Sequence, residues 1–161
     1  MKSRRQAREC VLQALYQCDT LRDWSEDCVL LYYREFVGED TGVARTDNEI
    51  FSSDLAYGVV RNLSEVDALI TGASENWSLR RMSRVDRNIL RLGAFELCFV
   101  DDIPSSVSIN EAIEIAKRFG SDDSPVFING VLDKVAAGVS QGQGLASSNR
   151  VATRKRRVVN G

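Results

Sequence analysis

The chain has 161 residues, 43% of them hydrophobic, with no histidine, four cysteines and a formal net charge of −2. That size and apolar content fit one globular domain, or two small bundles sharing a core. No apolar run approaches the ~18 residues a membrane helix needs, and an arginine- and glutamate-bearing first segment is no signal peptide, so a soluble, cytoplasmic protein with no membrane contact is expected. Cys10, Cys18, Cys28 and Cys98 lack the CxxC spacing of a structural zinc site; they read as reduced thiols, and no metal or cofactor is expected.

The first helix runs from about Ser3 to Asp19, with Ala7, Cys10, Val11, Ala14, Leu15 and Cys18 repeating at helical spacing. Arg5, Leu12 and Tyr16 share a neighbouring flank, with Arg8 and Glu9 on either side of it. A second helix starts near Ser25 and carries Leu30, Leu31, Tyr32 and Phe36, with Glu26 and Asp27 at the positive end of its dipole. Val37 to Arg45 reads as a loop. Thr46 and Glu49 form a capping box ahead of Ile50, Phe51, Leu55 and Val59. A bend near Asn62 to Ser64 leads to Val66, Leu69 and Ile70, and Gly72 to Leu79 is a connection with Trp77 as a packing anchor.

Ser83 and Asp86 open the core helix, whose apolar face holds Val85, Ile89 and Leu92 in line with Glu96. Ser108 and Glu111 read as a second capping-box pair, followed by Ala112, Ile113, Ala116 and Phe119 and stopped by Gly120. After a short acidic joint, Ser124 caps a last helix with Pro125 at its first position. Phe127, Ile128, Val131, Leu132 and Val135 form that helix's stripe. Gly130 within it costs roughly 1 kcal/mol of helix propensity, which predicts a close neighbour. The chain is all-α, about six or seven helices. Residues 1–140 form the helical domain, and 141–161 a basic tail without apolar periodicity, expected to be disordered.

Charge is unevenly spread. Lys2, Arg4, Arg5 and Arg8 precede the first acid, Glu9, while the tail holds Arg150, Arg154, Lys155, Arg156 and Arg157 and no acid. Cations at a helix N-terminus oppose its dipole. Their cluster with Tyr16 nearby fits an RNA contact through phosphate pairing and base stacking, or else a solvated helix end. Arg80, Arg81, Arg84, Arg87 and Arg91 form a second cluster, read first as a solvated face pairing with the acidic second helix; a secondary phosphate contact through Arg80 or Arg84 is the other reading. Glu96 has no partner carboxylate, histidine or metal set for catalysis, so burial with hydrogen bonds to an arginine or helix-end N–H groups is expected. Asp122 and Asp123 are explained by the positive end of the last helix, and by spacing alone Phe127 is core.

Three blocks in order carry a resemblance: SRRQARECVLQALYQ from Ser3, MSRVDRNILRLGAFELCF from Met82, and NEAIEIAKRFG followed by SPVFINGVLDK. Together they resemble the NusB family of bacterial transcription antitermination factors. The resemblance implies a NusB-like fold of two small bundles and a non-enzymatic RNA-binding protein. Its ligand would be single-stranded boxA RNA of ribosomal RNA leaders. Its partner would be the small-subunit ribosomal protein that doubles as NusE, brought to the RNA polymerase antitermination complex to suppress premature termination; a homodimer of the free chain is compatible with it. It assigns RNA binding to Lys2, Arg4, Arg5, Arg8, Tyr16 and Phe127, and partner binding to Asp86, Phe119 and Asp123. Family members that carry acidic residues just before the core helix differ from this chain there. The other classes are an RNA-targeting accessory domain for a ribosomal RNA methyltransferase and a protein-binding helical adaptor.

Overall fold

A computed structural model describes residues 1–38 and 45–140. Part of the expected Val37–Arg45 loop and all of the 141–161 tail lie outside the described residues. Ser3 opens α1 (Arg4–Leu21), its hydroxyl accepting the Gln6 N–H at 3.1 Å, while Gln6 Oε1 accepts the Lys2 N–H at 2.7 Å. Ser25 caps α2 (Glu26–Phe36). Thr46 and Glu49 make the expected reciprocal capping box of α3 (Asp47–Arg61). Asn62 ends α3 and precedes α4 (Leu63–Ala73), its amide donating to the Gly58 carbonyl at 2.8 Å. A 3-10 turn at Leu79–Arg81 leads to α5 (Arg84–Phe99), capped by Ser83, then α6 (Ser105–Phe119) and α7 (Ser124–Ser140).

Among the described residues there is no strand. Helices α1 to α3 pack on one another, as do α5 to α7, with α4 against α5 and α7, and α5 lies against both α1 and α3. The buried side chains form one continuous core, with Tyr33, Phe95, Phe99 and Leu132 among its largest fully buried members. Phe95 and Phe99 stack with centroids 5.0 Å apart. No helix of the described residues is long and apolar enough to cross a membrane. Cys18, Cys28 and Cys98 are buried free thiols and Cys10 is half-buried.

Four local expectations are corrected. First, α6 begins one turn earlier than the Ser108–Glu111 box implies: Pro104, at φ −58°, stands at its N-cap. Ser108 is buried inside the helix, and Glu111 reaches to Arg5. Second, Ser124 is the first residue of α7 and Pro125 the second, and the Ser124 hydroxyl accepts the Ser121 N–H at 2.9 Å. Third, Gly130 faces open space, with nothing within 4 Å of the place a Cβ would occupy. Close approach occurs instead at Gly58, under the Phe95 ring, and at Gly93, against Leu132. Fourth, Trp77 is 53% exposed and does not anchor the core.

Candidate nucleic-acid interface

The first turn of α1 contains no acid. Lys2, Arg4 and Arg5 are exposed. Arg4 stands with its guanidinium carbon 3.9 Å from the Phe51 ring centroid, a cation–π placement that leaves its N–H groups available to an anion. Arg5 forms a two-pronged pair with Glu111 on α6, at 2.9 and 3.1 Å. The hydrogen bond from Arg5 holds the Glu111 carboxyl below its ordinary range despite partial burial, so the pair is charged at neutral pH. Arg118 makes a parallel link from α6 to Glu9 on α1 at 2.8 Å.

Arg8 does not belong to this exposed set. It is only 3% exposed, and its Nε and Nη2 donate to both oxygens of Glu96 at 2.7 to 3.1 Å. Ser108 Oγ donates to the same carboxylate at 3.2 Å, and the Arg8 guanidinium carbon lies 5.1 Å from the Phe51 ring centroid. The expected burial of Glu96 with an arginine partner therefore holds. That partner is Arg8, which corrects its expected exposure: Arg8 is 3% exposed and pairs with a carboxylate 1% exposed.

Tyr16 is 42% exposed on the solvent side of α1. The Arg84 guanidinium lies 5.7 Å from its ring centroid. One turn further along α1, Asp19 receives Arg87 at 2.8 Å, Arg91 at 3.3 Å and Arg84 at 3.9 Å. Asn88 donates to it as well at 2.9 Å, and Arg91 also grips Asp67 on α4 at 2.8 Å. Arg84, Arg87 and Arg91 of the second basic cluster thus pair with α1 and α4. None of these arginines pairs with α2 among the described residues, where Glu26 pairs with Arg61 of α3, so the expected pairing with the second helix is corrected.

Three of the other assigned residues, Asp86, Asp123 and Phe127, meet at the start of α5. A cleft of about 280 Å³ is lined by Trp77, Arg81, Met82, Ser83, Asp86, Asp123, Ser124 and Phe127. It joins Asp86, Asp123 and Phe127 from two distant parts of the sequence. Asp86 Oδ1 is buried there without a hydrogen-bond partner among the described residues, while the Asp86 backbone N–H donates to Ser83 Oγ at 3.1 Å. Phe119 stands outside the cleft, half-buried at the end of α6 with Arg118 over its ring at 5.0 Å. A second groove, about 500 Å³, was not read from the sequence. It is lined by Tyr16, Gln17, Thr20, Leu21, Leu31, Glu35 and Phe36. Leu21, Leu31 and Phe36 are exposed by 58%, 46% and 71%; Leu21 and Phe36 continue the helical spacing of their stripes, so spacing alone reads them as core.

Comparison with known proteins places these features in context. The NusB family profile matches residues 5–137. The transcription antitermination protein NusB of Geobacter sulfurreducens is 48% identical over 139 residues, covering 85% of this chain and 96% of that protein. The protein of the same name from Myxococcus xanthus is 43% identical over 141 residues, covering 88% and 99%. Among solved structures, T. maritima NusB superposes with a TM-score of 0.72 at 41% identity, covering 85% of this chain and 93% of that one. A structure of antitermination factors NusB and NusE in complex with dsRNA gives 0.71 at 24% identity over 86% and 98%, a likeness of fold.

Proposed function

This chain belongs to the NusB family, and from that premise we propose that it is a transcription antitermination factor acting by binding and without catalysis. Its ligand is boxA RNA of ribosomal RNA leader transcripts, held together with the ribosomal protein that acts as NusE, and the assembly joins RNA polymerase to suppress premature termination. The observation that carries the RNA side is the acid-free, cation-bearing first turn of α1, with exposed Tyr16 on the same helix flank as Arg5. Lys2 and Arg4 make no ion pair among the described residues, and Arg5 shares only a surface pair with Glu111. Such cations exchange their counterions for phosphates at little cost.

The protein side rests on Asp86, Asp123 and Phe119. Two carboxylates in one cleft suit the basic side chains of a ribosomal protein, and Phe127 in the same cleft makes it the place where RNA and protein meet. The test is a titration against a boxA-type single strand and a scrambled strand, with and without the ribosomal protein. Replacing Lys2, Arg4 and Arg5 by alanine is expected to lower RNA affinity and reduce the salt slope by up to about 0.7 for each phosphate no longer neutralised. Helix content should be unchanged, because all three side chains are exposed. An unaltered slope and affinity in that variant rejects the α1 face.

A further inference from the structure

Of the exposed cations at the start of α1, Arg5 is the one that a carboxylate of another helix holds among the described residues. Glu111 Oε2 accepts from its Nε at 2.9 Å and Glu111 Oε1 from its Nη2 at 3.1 Å. A guanidinium carries five N–H donors in one plane. This side-on grip leaves the Nη1 pair and the outer Nη2 N–H along the remaining edge, and the side chain is 50% exposed. We propose that Glu111 is a positioning residue for RNA binding, which fixes the Arg5 guanidinium so that its remaining edge meets a phosphate of the strand. This rests on the RNA-binding reading above and adds a residue of α6 that acts on the RNA only through Arg5.

Glu111 stands on a firm base. One turn before it, Ser108 is buried and donates to Glu96, and Ala112 and Ile115 beyond it are buried in the core. The Glu111 side chain is itself 21% exposed, and the hydrogen bond from Arg5 keeps it ionised. Arg118 of α6 also pairs with Glu9 of α1 at 2.8 Å, so both ends of the Arg5 pair stand on helices tied together by a second bond. Phosphate accepts two parallel N–H bonds from a guanidinium edge. An arginine already held in place has little side-chain freedom left to lose on binding, whereas a free one gives it up at that moment.

The other role for a carboxylate beside a phosphate site is competition, in which Glu111 merely neutralises Arg5 and repels RNA. The geometry favours positioning, because the edge that Glu111 occupies and the edge left to phosphate are different, so both anions bind at once. Glu114 on the same helix separates the two roles. It acts on Arg5 by charge, but its hydrogen bond at 3.0 Å is with Lys117. Glu111 raises the Arg5 pKa first by its hydrogen bond and then by charge. Neutralising Glu114 therefore removes repulsion alone, and neutralising Glu111 removes repulsion together with the grip.

The experiment measures the affinity of a boxA-type single strand by fluorescence anisotropy at several salt concentrations. It uses the full chain, Glu111→Gln, Glu114→Gln, Arg5→Ala, Arg4→Ala, and Arg5→Ala combined with Glu111→Gln. Glu111→Gln is expected to weaken binding about two- to tenfold, the cost of ordering one long side chain, although it removes a negative charge. Its salt slope should stay that of the parent, since Arg5 still neutralises its phosphate. Glu114→Gln should bind as well as the parent or better, and in the Arg5→Ala background Glu111→Gln should weaken nothing further. Helix content and the urea midpoint should hold throughout, because exposed ion pairs contribute little to folding. If Glu111→Gln binds as tightly as the parent or more tightly, Glu111 does not position Arg5 and the proposal is overturned. Equal weakening with and without Arg5 overturns it as well, because Glu111 then acts elsewhere. If Arg4→Ala weakens binding while Arg5→Ala does not, the proposal falls and the RNA-binding reading stands. If the full chain binds no RNA, both fall.

Discussion

Taking Arg8 and Glu96 out of water costs several kcal/mol per ion, offset only while their hydrogen bonds and that of Ser108 keep good geometry. Breaking one side leaves an uncompensated buried charge. Glu96→Leu alone is therefore expected to destabilise the chain by about 3–5 kcal/mol in urea unfolding, whereas Arg8→Met with Glu96→Leu should recover most of that loss. The double variant should also keep the parent's RNA salt slope, since Arg8 is not at the surface; a slope lowered as much as by Arg4→Ala would return Arg8 to the RNA face. Half of this was legible beforehand. A carboxylate in line with Ile89 and Leu92 demands a cation, but helical spacing identifies only the flank on which Arg8 lies. The neighbour across that flank is a tertiary fact.

At the scale of elements, caps were readable where the partners were local and misread where they were not. Thr46 and Glu49 meet no competing side-chain partner among the described residues and form their box. Ser108 and Glu111 have the same spacing, yet Glu96 and Arg5 claim them, and α6 starts at Ser105 instead. The glycines divide in the same way. Gly130 is exposed, with room for a methyl group, so Gly130→Ala is expected to stabilise by up to about 1 kcal/mol. Gly58→Ala would drive its Cβ into the Phe95 ring, which cannot move without disturbing the Phe99 stack, and should cost about 1–3 kcal/mol. Thermal or urea melts of the two variants decide it, and a destabilised Gly130→Ala would restore the expected close neighbour. Sequence shows that a helical glycine is costly, but not which one something presses against.

For the whole molecule, the order of helices was legible because each helix carries an apolar stripe and α1, α2, α3 and α5 open on a side-chain cap. The convergence of Asp86, Asp123 and Phe127 was not, because it depends on how α7 lies across α5. Charge, by contrast, is readable from sequence without a fold. Five of the 21 basic residues and none of the 23 acidic ones fall in 141–161, so the helical body carries a marked acidic excess that opposes approach to RNA everywhere except at its basic face. The tail should act against that excess by attracting phosphate without reading bases, an effect that salt screens over about 10 Å at 0.1 M. Deleting 141–161 is expected to lower affinity for boxA and scrambled strands alike at low salt, to have little effect at high salt, and to leave helix content unchanged. The comparison requires both strands at two salt concentrations with full-length and truncated chains. Loss of the preference for boxA on truncation would contradict the assignment, because the tail is assigned attraction by charge alone.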